Sequence, residues 1–383
     1  MRMSKIFYEQ NLTRKHLTLK FFKLRHINSQ SIIYMFLNTV LDKAIMNRIL
    51  IWLFLFLSFP LCAMKTTLDK VVEERDFEGL SRLISLYGKA IESDAHSLYI
   101  QRYSFADIVN AQDSNGMTVV HRILHGDMDS VTRLIVQILL ENGAKIDLMD
   151  QFGFTPLHIA AKLGYEDIVS KILEINPHVV DIQNKQGLTA LHNASLSCYE
   201  NIIRLLINHG ANKDIRDRSG ATPLHIAARY GKIASVNILI EAGASISRDV
   251  YGFTPLHYAA QNGRKVIVRM LASHYPDSVN IPDNAGATPL HFAVKMTRYP
   301  DVKILLKAGA DVLARDHEGR TPFHYAVKSR NKKMLKLFKD KAVMCINCRD
   351  NAGLTPYEFA CVGAQPADCA ELRVALDDLI RTC

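Results

Sequence analysis

Along most of the chain, apolar residues recur in short bursts at helical spacing, and each burst ends at a glycine. The stretch 217–248 shows the plan. Leu224, Ala227 and Ala228 share one face of a short helix, Gly231 closes it, and Val236, Leu239 and Ile240 form the stripe of a second. Asp217-Arg218-Ser219-Gly220 in front is turn chemistry, because Gly accepts positive φ and Asp bonds its own backbone. Thr222 is placed to cap the first helix, and Pro223 opens it where a missing N–H costs nothing. Gly243 sits where a C-terminal cap belongs, and Ser245 to Arg248 are expected to run on as an extended strand. Neither helix is long enough to hold itself together in water, so each must bury its apolar face against neighbouring copies. The small pairs Ala160-Ala161, Ala227-Ala228 and Ala259-Ala260 predict that adjacent first helices approach closely.

The copies are countable. A His follows Thr by three residues seven times: Thr118/His121, Thr155/His158, Thr189/His192, Thr222/His225, Thr254/His257, Thr288/His291 and Thr321/His324. An eighth copy, Thr355-Pro356-Tyr357-Glu358, has Glu in place of His. Gly116, Gly153, Gly187, Gly220, Gly252, Gly286, Gly319 and Gly353 stand two residues before each Thr, at intervals of 37, 34, 33, 32, 34, 33 and 34 residues. A period near 33 carrying T-P-L-H-x-A resembles the ankyrin repeat. The resemblance implies an all-α solenoid of stacked helix-turn-helix units with β-hairpin-like finger turns. Residues 113–366 hold the repeats, and 64–112 read as a degenerate N-terminal cap carrying an insertion, Lys89 to Ile108, with Tyr99 and Tyr103. Residues 367–383 read as a C-terminal capping helix with Asp377 and Asp378 on its polar side.

Charge alters the picture only at the N-terminus. The net charge is +9, but residues 1–48 hold nine Lys or Arg and two acids, which leaves +2 for the remaining 335 residues. The array is close to neutral, so the basic balance is no argument for nucleic-acid binding. Residues 49–63 form the strongly apolar run, and fifteen residues fall short of the ~20 that span a bilayer as a helix. Read from Met46, residues 46–63 are a secretory signal peptide with cleavage after Ala63. Residues 1–45 are then a basic extension upstream of the true start, and the mature protein is exported, periplasmic or secreted. If residues 49–63 are retained they become a membrane anchor, which makes the array a membrane-tethered adaptor.

Candidate chemistry dissolves into the repeat register. Cys345-Ile346-Asn347-Cys348 overlays Asp311-Val312-Leu313-Ala314, which puts Cys348 at a small-residue position and Cys361 at the second Ala position of a first helix. Six cysteines follow Ala63, so pairing in an oxidising compartment is conceivable without any pair being specified. The histidines come one per repeat, roughly 10 Å apart, too far to share a metal ion at ~2 Å. In the family resembled, that His bonds backbone and ties repeats together. No nucleophile elbow, phosphate loop or zinc-hydrolase motif is present, so neither catalysis nor a cofactor is expected.

Arrays of this kind bind through finger tips and the exposed side of the first helices, which line a concave groove. The positions here are Phe152, Phe154, Tyr251 and Phe253 in the fingers, and Lys162, Arg229, Tyr230, Gln261, Lys295, Met296 and Lys328 at the helix ends, with Arg264, Arg298, Arg320 and Arg330 close by. The expected partner of this monomer is an acidic or mixed acidic–apolar protein segment, not nucleic acid. Occluding a partner enzyme is an alternative use of the same groove.

Overall fold

The computed structural model describes residues 105–381 and, before them, 68, 70, 71, 74, 79, 80 and 82. The chain divides into two units, and the described residues belong to the one comprising Lys65–Asp94 and Tyr103–Cys383. The N-terminal extension, the signal-peptide segment, Tyr99, Tyr103 and Cys383 lie outside the described residues.

Eighteen α-helices occur among the described residues. After α1 (Phe105–Val109) they alternate. The first helices of the repeats are α2 (Val119–His125), α4 (Pro156–Leu163), α6 (Ala190–Ser197), α8 (Pro223–Tyr230), α10 (Pro255–Gln261), α12 (Pro289–Lys295), α14 (Pro322–Lys328) and α17 (Pro356–Cys361). The second helices are α3 (Ser130–Glu141), α5 (Glu166–Ile175), α7 (Glu200–Asn208), α9 (Ile233–Glu241), α11 (Lys265–His274), α13 (Tyr299–Lys307) and α15 (Lys332–Leu337). A single turn, α16 (Ala342–Cys345), and a closing helix, α18 (Pro366–Arg381), complete the set. Each first helix packs on the next first helix and each second helix on the next second helix, with α18 against α15, α16 and α17. The result is a two-layered all-α solenoid.

The layers close because the contact positions are small. Ala160, Ala161, Ala194, Ala227, Ala228, Ala259, Ala260, Ala293 and Ala326 are fully buried, so first helices meet almost backbone to backbone. Behind them runs a ladder of larger side chains from the second helices: Ile135, Ile168, Ile202, Ile267 and Met334 at equivalent positions, interrupted by Ser235 and Asp301. Ser235 gives its hydroxyl hydrogen to the Ser195 carbonyl at 3.0 Å. Both carboxyl oxygens of Asp301 are buried without a hydrogen-bond partner.

The histidines join the two halves of the design. In each of seven repeats the ring Nδ1 accepts from the backbone N–H of the capping Thr, and Nε2 lies 2.8–3.3 Å from a carbonyl of the following finger. A carbonyl only accepts, so Nε2 carries the proton and the ring is neutral. Glu358 keeps the local half of this arrangement. Its carboxylate accepts from the Thr355 N–H at 2.7 Å and hydroxyl at 2.9 Å, and no finger follows it.

Three expectations need correction. No strand occurs among the described residues, and Ser245–Arg248 are irregular. Fingers are joined tip to tip by one backbone hydrogen bond each, such as Lys185 N–H to the Phe152 carbonyl at 3.0 Å, too few to build a ladder. The insertion is also shorter than expected, because Phe105, Ile108 and Val109 are helical and buried. Cys348 is half-buried, as is Ala314 on which the repeat register lays it, while Cys345 is fully buried and burial pushes its thiol up to about 12. The turn between paired helices also departs from its glycine rule. Cys198, Thr297 and Arg330 adopt the positive φ that Gly164, Gly231 and Gly263 take in other repeats.

Candidate functional site: the finger and first-helix face

Each finger is locked by its leading Asp or Asn. Asp249, for example, accepts from the N–H groups of Tyr251 at 2.9 Å and Phe253 at 2.8 Å. That bond pair turns the second tip residue outward and the fourth inward. The four finger aromatics therefore split. Phe152 and Tyr251 are 60% and 62% exposed. Phe154 and Phe253 are half-buried instead, which corrects their placement as open tip residues. Phe154 meets the His158 ring edge-on at 5.8 Å, and Phe253 stacks on His257 at 5.4 Å and reaches Phe292 at 4.9 Å. They pack the finger onto its helix.

The helix-end residues stand where the spacing placed them. Lys162, Arg229, Tyr230, Lys295, Met296 and Lys328 are exposed, and Gln261 is half-buried. What the spacing missed is the row beneath them. The residue after each capping His, or after Glu358 in the eighth repeat, is Arg122, Ile159, Asn193 and Ile226 in the first four repeats but Tyr258, Phe292, Tyr325 and Phe359 in the last four. The cations sit over these rings. Arg229 lies 5.4 Å from the Tyr258 centroid, Lys295 5.7 Å from Tyr325, and Lys328 4.3 Å from Phe359. Lys162 lies 5.7 Å from Phe154 in the same fashion. A ring face holds the long side chain over the helix end while its charge stays in water. The switch from Ile to aromatic at one repeat position was the available signal.

Two of the tyrosines are anchored from below. Tyr258 donates its hydroxyl to Asp249 at 2.7 Å and Tyr325 to Asp316 at 2.6 Å. Burial, followed by that carboxylate, raises both phenols well above their ordinary range. Arg320 is half-buried, 4.4 Å from the Phe359 centroid, paired with Glu318 and 3.7 Å from the Asp350 carboxylate. The other arginines near the helix ends do not join this face. Arg264 and Arg298 cover Gly231 and Gly263 at the turns, and Arg330 holds Asp368 of α18 at 2.7 Å.

At the N-terminal end, finger and helix enclose a hollow of 370 Å³ lined by Asn115, Gln151, Phe152, Phe154, Lys162 and Leu163 among others. Exposed tip and helix-end positions across the array carry Lys162, Lys185, Arg218, Arg229, Lys295 and Lys328 against a single acid, Glu318. The turn carboxylates are committed to finger N–H groups. No three His, Cys, Asp or Glu residues are grouped as metal ligands among the described residues, and none of the described helices is long and apolar enough to cross a membrane.

The family Ankyrin repeats (3 copies) matches residues 87–181, 171–250 and 247–316, and Ankyrin repeats (many copies) matches 298–338. The chain belongs to the ankyrin repeat family. Among solved structures it is similar to the ankyrin repeat domain of human ASB11, at 27% identity and a TM-score of 0.51, covering 59% of this chain and 98% of that one. The ankyrin repeat domain of Bcl-3, a member of the IkappaB protein family, is similar at 25% identity and TM-score 0.52, over 58% of this chain and 99% of its own. The NF-kappa-B inhibitor cactus of Drosophila melanogaster is 32% identical over 215 residues, 55% of this chain and 42% of cactus. The Drosophila melanogaster channel named transient receptor potential cation channel subfamily A member 1 is 28% identical over 269 residues, 66% of this chain and 22% of the channel. The chain spans less than half the length of the curated relatives it matches.

Proposed function

We propose that this ankyrin repeat protein is a non-catalytic scaffold that takes up an acidic or mixed acidic–apolar segment of a protein partner on its finger and first-helix face. The observation that carries this reading is the row of cations held over aromatic rings, with Phe152, Tyr230 and Tyr251 half or more exposed beside it. Rigid aromatics and pinned cations are the residue types that anchor protein interfaces. Ankyrin repeats serve as interaction scaffolds, and the likeness to an inhibitor and to an IkappaB family member favours a regulator that occludes its partner.

Export belongs to the same proposal and rests on residues 46–63 alone. The test of the binding face is site-directed photo-crosslinking in the native cell. A photoreactive residue at Tyr230 or Tyr251 should capture a protein that the same group at Ile175 or Val266, exposed on second helices, does not. Capture only from the second-helix positions would overturn the placement.

A further inference from the structure

The helix-end cations are not evenly spread, and their spacing prescribes the partner. Seven residues after each capping Thr, consecutive repeats carry Lys162, Leu196, Arg229, Gln261, Lys295 and Lys328. Positive charge thus falls on the second, fourth, sixth and seventh repeats, with uncharged side chains on the third and fifth. Successive first helices pack directly on one another, and packed helices lie about 8–10 Å apart. An extended peptide advances about 3.3 Å per residue, so three residues pass each repeat. From this register the geometry points to one ligand: an extended segment with carboxylates separated by six, six and three residues and uncharged, partly apolar residues between them.

This inference rests on the groove reading above and sharpens it. Lys162, Arg229, Lys295 and Lys328 each hold a ring contact, so the charges they offer are positioned before a ligand arrives. Leu196 and Gln261 bring no charge to meet an anion, so one carboxylate per repeat would place two of every six over neutral side chains. Beside the cations, the exposed Tyr230 and Met296 offer surface to apolar residues of the segment. The span also closes. Five repeat steps of about 10 Å equal about fifteen residues of extended chain. Exposed ion pairs are individually weak, so affinity must come from meeting several at once.

The test uses the full chain and three fluorescein-labelled peptides of sixteen residues, each with four Asp and the rest Ser, Thr and Leu. One carries Asp at positions 1, 7, 13 and 16, the second carries the reverse order at 1, 4, 10 and 16, and the third has the four Asp contiguous. Fluorescence anisotropy should show one spaced order binding at least tenfold more tightly than the contiguous isomer, and the favoured order reports the direction of the segment. Lys295→Glu should cost tenfold or more, and a peptide with Lys at the facing Asp position should recover it. Equal affinity for all three peptides, or full displacement of the spaced peptide by a charge-matched oligouridylate, would overturn the inference. Absence of binding to every peptide would overturn it too. Photo-crosslinking from Tyr230 and Tyr251 then decides independently whether the groove reading survives.

Discussion

Asp301 occupies a place that its neighbours fill with hydrocarbon. It is 1% exposed in the second-helix ladder between Ile267 and Met334, with no hydrogen bond to either oxygen. Burial raises its carboxyl to about 6, against the opposing pull of Arg298 and Lys265. A folded-state value above the unfolded one of 3.8 means that the fold prefers the protonated acid. The penalty is absent below about pH 4, grows from pH 4 to 6 and is complete above 6. Asp301→Asn should therefore stabilise the array by about 3 kcal/mol at pH 7.5 and by almost nothing at pH 4. Urea unfolding of both proteins at the two pH values checks it, and a gain independent of pH would refute the ionic origin. In the sequence, Tyr299-Pro300-Asp301 looks like an ordinary acidic first turn, where a carboxylate favours the helix N-terminus. Only the stacking of repeats reveals that this side of the turn faces inward. The same limit hid the difference between Phe152 and Phe154, since neighbours in one finger point opposite ways once the leading Asp has locked it.

At the scale of the element, the His that caps one helix also fastens the next finger, and the two duties separate cleanly. His225→Ala leaves the Thr222 N–H buried without its partner and cuts the tie to the Phe253 carbonyl, which keeps only the Asp249 N–H of its own finger. Its expected cost is roughly 2–4 kcal/mol, with hydrogen exchange accelerated in the finger that follows. Glu358→His should leave stability nearly unchanged, because no following finger carbonyl stands beyond it among the described residues and only an exposed pair with Arg349 is lost. Comparable costs for the two substitutions would disprove the linking role. Helices and turns of the repeats were legible because a Thr opens every first helix, and Pro and Gly mark the ends in most copies. The helix Phe105–Val109 was not, since its repeat lacks those marks and only burial of Phe105 and Ile108 places it. The aromatic row was written plainly in the sequence yet looks like core substitution until the cations are seen above it.

For the whole molecule, stability is a sum over repeats and their interfaces, so a property shared by all repeats acts many times over. Burial lowers the pKa of every linking His, to about 4 for His158, His192 and His257, and the carbonyl each ring donates to opposes this only in part. His121, His225, His291 and His324 are lowered as well. With folded values below the unfolded 6.5, their contribution is complete above pH 6.5 and drains away as pH falls towards 4. Seven such groups outweigh Asp301, whose dependence has the opposite sign. The melting temperature should fall steeply between pH 6.5 and 4, and a flat profile across that range would show that the rings are not held neutral. The glutamate at position 358 has one more consequence, for how an array like this lengthens. A repeat copied in after it would arrive with no imidazole to receive its finger, so new units are accepted only upstream, by duplication within the row. Extending the row past position 358 therefore asks first for a histidine there.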